Sequence, residues 1–148
     1  MECENVKHIK IKTLHNDAKI PTYAKVGDAG CDLYAVEDYS ICAGEVCLIR
    51  TGISINMPFG TEAQIRPRSG LAAKQKITII NSPATVDAGY RGEILVPLFN
   101  LSVKTVVILK GERFAQMIFA PVYKADFIEV KELDDSERGS GGFGHTGL

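Results

Sequence analysis

The sequence predicts an all-β protein, a sandwich, jelly roll or barrel with one short helix, on three observations. Valine and isoleucine total 26 against 10 leucines, and tryptophan is absent. Such β-branched side chains are stiff at χ1 and suit a pleated surface better than a helix. Short apolar runs recur at close intervals with turn residues between them, which is the pattern of a sandwich, jelly roll or barrel. The chain has 148 residues, 45% hydrophobic and 24% charged. That allows one domain of ordinary size and excludes a disordered polymer.

The elements follow in order. Residues 6–11 alternate apolar and polar as a half-buried strand does. Further strands are expected at 45–50, 52–57, 61–65, 77–80, 91–100, 105–109, 113–120 and 127–132. Ala43-Gly44, Pro58-Phe59-Gly60 and Lys110-Gly111 supply turns. The helix opens with Ser69 as N-cap and runs through Lys74. Beyond 133 the composition changes, and residues 138–148 hold five of the 14 glycines. Ordering so many glycines costs too much backbone entropy for a strand or helix. The chain therefore divides into a β domain at 1–133 and a flexible arm at 134–148.

Seventeen basic side chains against 18 acidic ones leave a formal charge of -1, which disfavours nucleic acid or an anionic membrane as a partner. No run approaches ~18 apolar residues, and MECENVKHIK is not a secretory leader, so a cytoplasmic location is expected (the nucleus also, if the source is eukaryotic or viral). Cys3, Cys31, Cys42 and Cys47 form no Cys-x-x-Cys pair and lie far from His8, His15 and His145. Reduced thiols are expected, with Cys31 and Cys42 acting as small buried hydrophobes. Residues 50–76 carry a net charge of +4 and residues 125–137 one of -5.

Three constellations could carry chemistry. Arg66-Pro67-Arg68-Ser69-Gly70-Leu71-Ala72 places cations beside a helix start, either an anion site or an ordinary cap with a surface arginine. Pro83 to Glu93 contains Asp87 and Tyr90 among glycines 89 and 92, read as a β-hairpin with a tight turn. Asp87 is then either a general base toward water or a turn-stabilising Asx residue. Tyr90 is either a sugar-sized wall or part of the core. In the arm, Arg138 offers a planar fork to phosphate and Phe143 a stacking face, unless the arm is only a linker.

Five segments then appear in order: Ala29-Gly30-Cys31-Asp32-Leu33, Pro67 to Ala72, Ala84 to Gly92, Gly111-Glu112-Arg113-Phe114-Ala115-Gln116, and Arg138 to Gly144. This set resembles the five motifs of the trimeric dUTPases over nearly the whole chain. The resemblance implies a jelly-roll homotrimer with active sites shared between subunits. It also implies Mg²⁺-dependent hydrolysis of dUTP to dUMP and pyrophosphate, which keeps uracil out of DNA and supplies dUMP for dTMP synthesis.

Carried onto this chain, Asp87 would activate the attacking water and Tyr90 would pack under the deoxyribose. Thr85, Val86 and Asp87, with Asn81, would read uracil. Arg68, Ser69, Gly70 and Gln116 would hold phosphates, and Arg138 the γ-phosphate. Phe143, beside Gly144, would cover the base. Asp32 would touch the Mg²⁺ shell only through water, so no direct protein ligand is expected. Ala84 stands where the family commonly has glycine. Two other readings remain open, a dCTP-deaminase-like enzyme and a non-catalytic binding module.

Overall fold

Eleven strands and one helix form among residues 7–142, the residues described in a computed structural model of the chain. In chain order they are β1 (Lys10–Thr13), β2 (Cys31–Tyr34), β3 (Tyr39–Ile41), β4 (Val46–Arg50), β5 (Ile53–Asn56), β6 (Thr61–Pro67), α1 (Ser69–Gln75), β7 (Ile77–Ile79), β8 (Ala84–Val86), β9 (Leu95–Asn100), β10 (Val106–Ile108) and β11 (Arg113–Pro121). They divide among four antiparallel sheets, β1-β5, β10-β3, β2-β11-β6-β8 and β4-β9-β7. The protein is mostly β with one short helix, as its composition predicts, and no sheet among the described residues closes into a barrel.

Alternation decides which face each strand buries. Ile65 on β6 stands in register with Met117 on β11, which faces Cys31 on β2, and all three are buried. Their neighbours Arg66, Gln116 and Asp32 form the adjacent cross-strand row and point to the opposite face. Leu33, Ile49, Ile53, Leu98, Ile108 and Phe114 complete the core. Asn100 is fully buried but satisfied. Its amide donates to the carbonyls of Ile41 (2.9 Å) and Lys104 (2.7 Å), and its oxygen accepts from Ser102 N–H at 2.9 Å. The predicted turns hold, with Gly44, Gly60 and Gly111 at φ of +75°, +81° and +79°.

Several expectations are corrected. The first strand begins at Lys10, where pairing with β5 begins. The predicted strand at 91–100 starts only at Leu95, because 91–94 belong to the loop before it. β2 and β3 were not predicted, since Cys31, Asp32 and Leu33 are all buried and show no alternation. Residues 127–132 form no strand. Once Val122 N–H has bonded to the Gly60 carbonyl, the chain runs exposed and without a ladder partner. Phe127 and Ile128 are 93% and 79% exposed.

Ser69 is the first helical residue, the N-cap is Arg68, and no side chain caps the helix. Nor is the 83–93 segment a hairpin. β8 pairs with β6, whereas β9 pairs with β4 and β7, so residues 87–94 cross between sheets. Neither Gly89 nor Gly92 has a positive φ. Cys31 is buried as expected, but Cys42 is exposed, because it follows the inward-facing Ile41 and turns the other way.

Candidate active site

Two separate cavities collect the residues singled out in the sequence, and no residue lines both. The larger, about 460 Å³, lies over the polar row on β2, β11 and β6 and reaches the start of α1. Asp32 sits at its floor with its side chain only 12% exposed. One carboxylate oxygen meets Arg68 Nε at 3.0 Å, and the other accepts from Arg113 Nη1 at 3.2 Å. Arg68 Nη1 also donates to the Arg113 carbonyl at 3.1 Å.

Gln116 Nε2 donates to the Pro67 carbonyl at 2.8 Å, which turns its Oε1 toward Gly30. A Cβ at Gly30 would collide with that oxygen, so only glycine leaves the amide its place. Ser69 and Gly70 supply N–H groups of the first helical turn, which have no partner within the helix. Arg66, Arg68 and Arg113 face Asp28 and Asp32 in this cleft, a formal net of +1 that suits a polyanion.

The smaller cavity, about 200 Å³, gathers Asn81, Thr85, Val86, Asp87, Tyr90 and Glu93 around the β8 edge. Tyr90 N–H bonds to the Asp87 carbonyl at 3.0 Å, forming the turn that presents both side chains. The Asp87 carboxylate is exposed and accepts no hydrogen bond from the described residues, so it is not an Asx turn residue. Tyr90 is 44% exposed and is not core. Its hydroxyl donates to the Glu93 carbonyl at 2.9 Å, and its ring fills the space that a Cβ on Gly92 would need. Ala84 lies in extended backbone and meets no strain there, so glycine is not needed at that position.

Arg91 ties the loop down. It donates to the carbonyls of Ala88 (2.7 Å) and Tyr90 (2.8 Å) and to Asn56 Oδ1 (2.8 Å). The Arg50 guanidinium grips Glu93, and that bonding raises its affinity for its proton.

Arg138 joins neither cavity. It is exposed, and its Nε donates to the Gly141 carbonyl at 2.9 Å. Phe143 and Gly144 lie outside the described residues. Sequence reasoning had not assigned a site role to Arg66, Arg113, Asp28, Arg91 or Glu93. Arg113, Arg91, Arg66 and Glu93 lay in motifs or charge runs already noted, whereas nothing local marked Asp28. Among the described residues no three His, Cys, Asp or Glu side chains cluster to hold a metal ion.

The dUTPase family matches residues 16–147, nearly the whole chain. The chain belongs to the dUTPase family. It is 52% identical over 141 residues to the deoxyuridine 5′-triphosphate nucleotidohydrolase of Clostridioides difficile, covering 95% of this chain and 99% of that one. Against the Clostridium tetani enzyme of the same name identity is 54% over 139 residues, covering 94% and 96%. Among solved structures, a mutant of the Staphylococcus bacteriophage 80alpha dUTPase with dUpNHpp superposes with a TM-score of 0.90 at 25% identity, covering 95% of this chain and 99% of that one. A dUTPase from phage phi11 of S. aureus, described as coordinating a structural Mg(II) ion, shares the fold with a TM-score of 0.81 at 21% identity, covering 86% and 99%.

Proposed function

We propose that this dUTPase-family protein hydrolyses dUTP to dUMP and pyrophosphate, removing a precursor of uracil in DNA and supplying dUMP for dTMP synthesis. One observation carries the reading: within a family match spanning the chain, an unpaired Asp87 carboxylate stands beside the half-exposed Tyr90 ring. Asp87 takes a proton from water, the water oxygen bonds to the α-phosphorus, and the bond to the pyrophosphate oxygen breaks. Arg68, Ser69, Gly70 and Gln116 hold phosphates in the arginine-lined cleft. Thr85, Val86 and Asn81 read uracil, and Tyr90 excludes a 2′-hydroxyl.

Drug-sized ligands fill roughly 300–1,000 Å³, so a cavity of about 200 Å³ takes a base and sugar but no triphosphate. The separation of the two cavities supports a homotrimer of jelly-roll subunits in which each site joins the cleft of one chain to the Asp87 loop of another. Val46, Leu48 and Leu95, exposed on the outer face of β4 and β9, offer apolar surface for such an assembly. Residues 134–148 act as an arm that brings Arg138 to the γ-phosphate and Phe143, with Gly144, over the uracil.

Mg²⁺ held by the substrate phosphates would supply neutralisation of their charge. Both Asp32 oxygens face arginines, so Asp32 would fit that ion as an acceptor for its waters rather than as a direct ligand. No helix of the described residues is long and apolar enough to cross a membrane, and the protein works in the cytoplasm without nucleic-acid or membrane partners.

Pyrophosphate release measured with dUTP, dTTP, dCTP and UTP tests this. Turnover confined to dUTP is expected. Ammonia release from dCTP, or tight dUTP binding without turnover, would overturn it.

A further inference from the structure

Tyr90 is too exposed for packing to hold its ring, and its hydroxyl is fixed by one bond, to the Glu93 carbonyl at 2.9 Å. That carbonyl belongs to the peptide whose Ile94 N–H donates to the Ile53 carbonyl at 2.9 Å, and the Glu93 side chain fixes the other end of the same unit. The Glu93 carboxylate is 17% exposed. It accepts from Arg50 Nε at 3.2 and 3.3 Å, from Arg50 Nη2 at 3.2 Å, and from the Gly52 N–H at 2.8 Å.

Both partners are tied into the fold. Gly52 has φ +67°, and a Cβ there would lie 2.7 Å from Val36 and 2.9 Å from both Ala18 and His15, so its backbone is packed on all sides. Arg50 closes β4, its N–H donates to the Tyr39 hydroxyl at 3.1 Å, and its Nη1 lies 3.5 Å from Glu37. An exposed loop is thereby fastened to the β4–β5 turn, a part of the fold that touches neither the cleft nor the general base.

We propose that Glu93, held by Arg50 and Gly52, is a positioning residue that places the Tyr90 ring and so sets discrimination against ribonucleotides. This rests on the reading of Tyr90 as the wall beneath the sugar. Loss of the Glu93 carboxylate leaves the 93–94 peptide held only from the Ile94 side, the hydroxyl tether slackens, and the ring gives way to a 2′-hydroxyl.

The test compares kcat/KM for dUTP and UTP in the full-length protein. Glu93→Ala is expected to lower the dUTP/UTP ratio by about two- to tenfold, the worth of one hydrogen bond. Tyr90→Phe, which removes the tether from its other end, should do the same. The double variant should be no worse than the larger single, because both act through one contact. Glu93→Gln keeps an acceptor for Gly52 and should restore most of the ratio; it also reads the effect should the alanine variant fail to fold. A merely structural role lowers the active fraction for both substrates alike, so an unchanged ratio in Glu93→Ala or Tyr90→Phe, with Tyr90→Ala reducing it, overturns the proposal alone. An unchanged ratio in Tyr90→Ala overturns the sugar-wall reading and this inference with it.

Discussion

Asp87 and Gly30 offer two tests of the proposed reaction at single residues. Asp87→Asn keeps the shape of the side chain but cannot take a proton. Turnover should fall by ~10²–10⁴-fold or more with dUTP binding preserved, and calorimetric titration beside a turnover assay checks both halves. Gly30→Ala drives a methyl group into Gln116 Oε1 while Nε2 is held by Pro67. The amide must leave the cleft, so KM for dUTP should rise more than kcat falls, with the fold intact by circular dichroism.

Burial is the largest influence on the Cys31 thiol. Desolvation pushes the Cys31 thiol above its ordinary value of 9.0. Because the folded state holds this proton more tightly, the stability it contributes is fully present below pH about 9 and declines as pH rises through the folded value. Among the described cysteines, alkylation at pH 8 followed by peptide mass spectrometry should mark Cys42 before Cys31. Labelling of Cys31 first would contradict its burial. Asp87 and Tyr90 were legible in the sequence as a pair. That Asp87 accepts no hydrogen bond among the described residues and that Tyr90 lies outside the core required their exposure and bonding.

Among the elements, strands that bury one face were the readable ones. β4, β6, β10 and β11 sit within a residue or two of their predicted limits, because alternation is a local record of one-sided burial. β2 broke the pattern by being covered on both faces, its polar Asp32 satisfied by two arginines instead of water. Residues 127–132 kept the pattern and formed nothing, since a strand needs a partner edge as well as a period. The arm is the element whose role is most open to test. Deleting 138–148 removes residues that, where described, are exposed apart from the half-buried Gly141. The melting temperature should therefore shift by no more than a few degrees, while turnover collapses for want of Arg138 and Phe143. Precipitation or early melting would make the arm structural, and normal turnover would make it dispensable.

At the scale of the whole molecule, the proposed trimer, in which the loop and the arm of one site come from different chains, predicts complementation. If Asp87→Asn chains are co-refolded in equal amounts with chains lacking 138–148, about three-quarters of closed cyclic trimers are mixed. Each mixed trimer holds one site with an intact loop from one subunit and an intact arm from another, so about a quarter of wild-type activity should return. An inactive mixture, with mixed trimers confirmed by native mass spectrometry, would sink the shared site.

By itself the sequence determined the β character of the chain, its left-handed turns at Gly44, Gly60 and Gly111, and the chemistry available at each motif. All of these are properties of single residues or of neighbours along the chain. Tertiary structure decided the pairings: β8 with β6 rather than β9, Asp32 between Arg68 and Arg113, Glu93 with Arg50 and Gly52. Each joins residues distant in sequence, and burial of a shared core selects such partners only once the whole chain has closed around it.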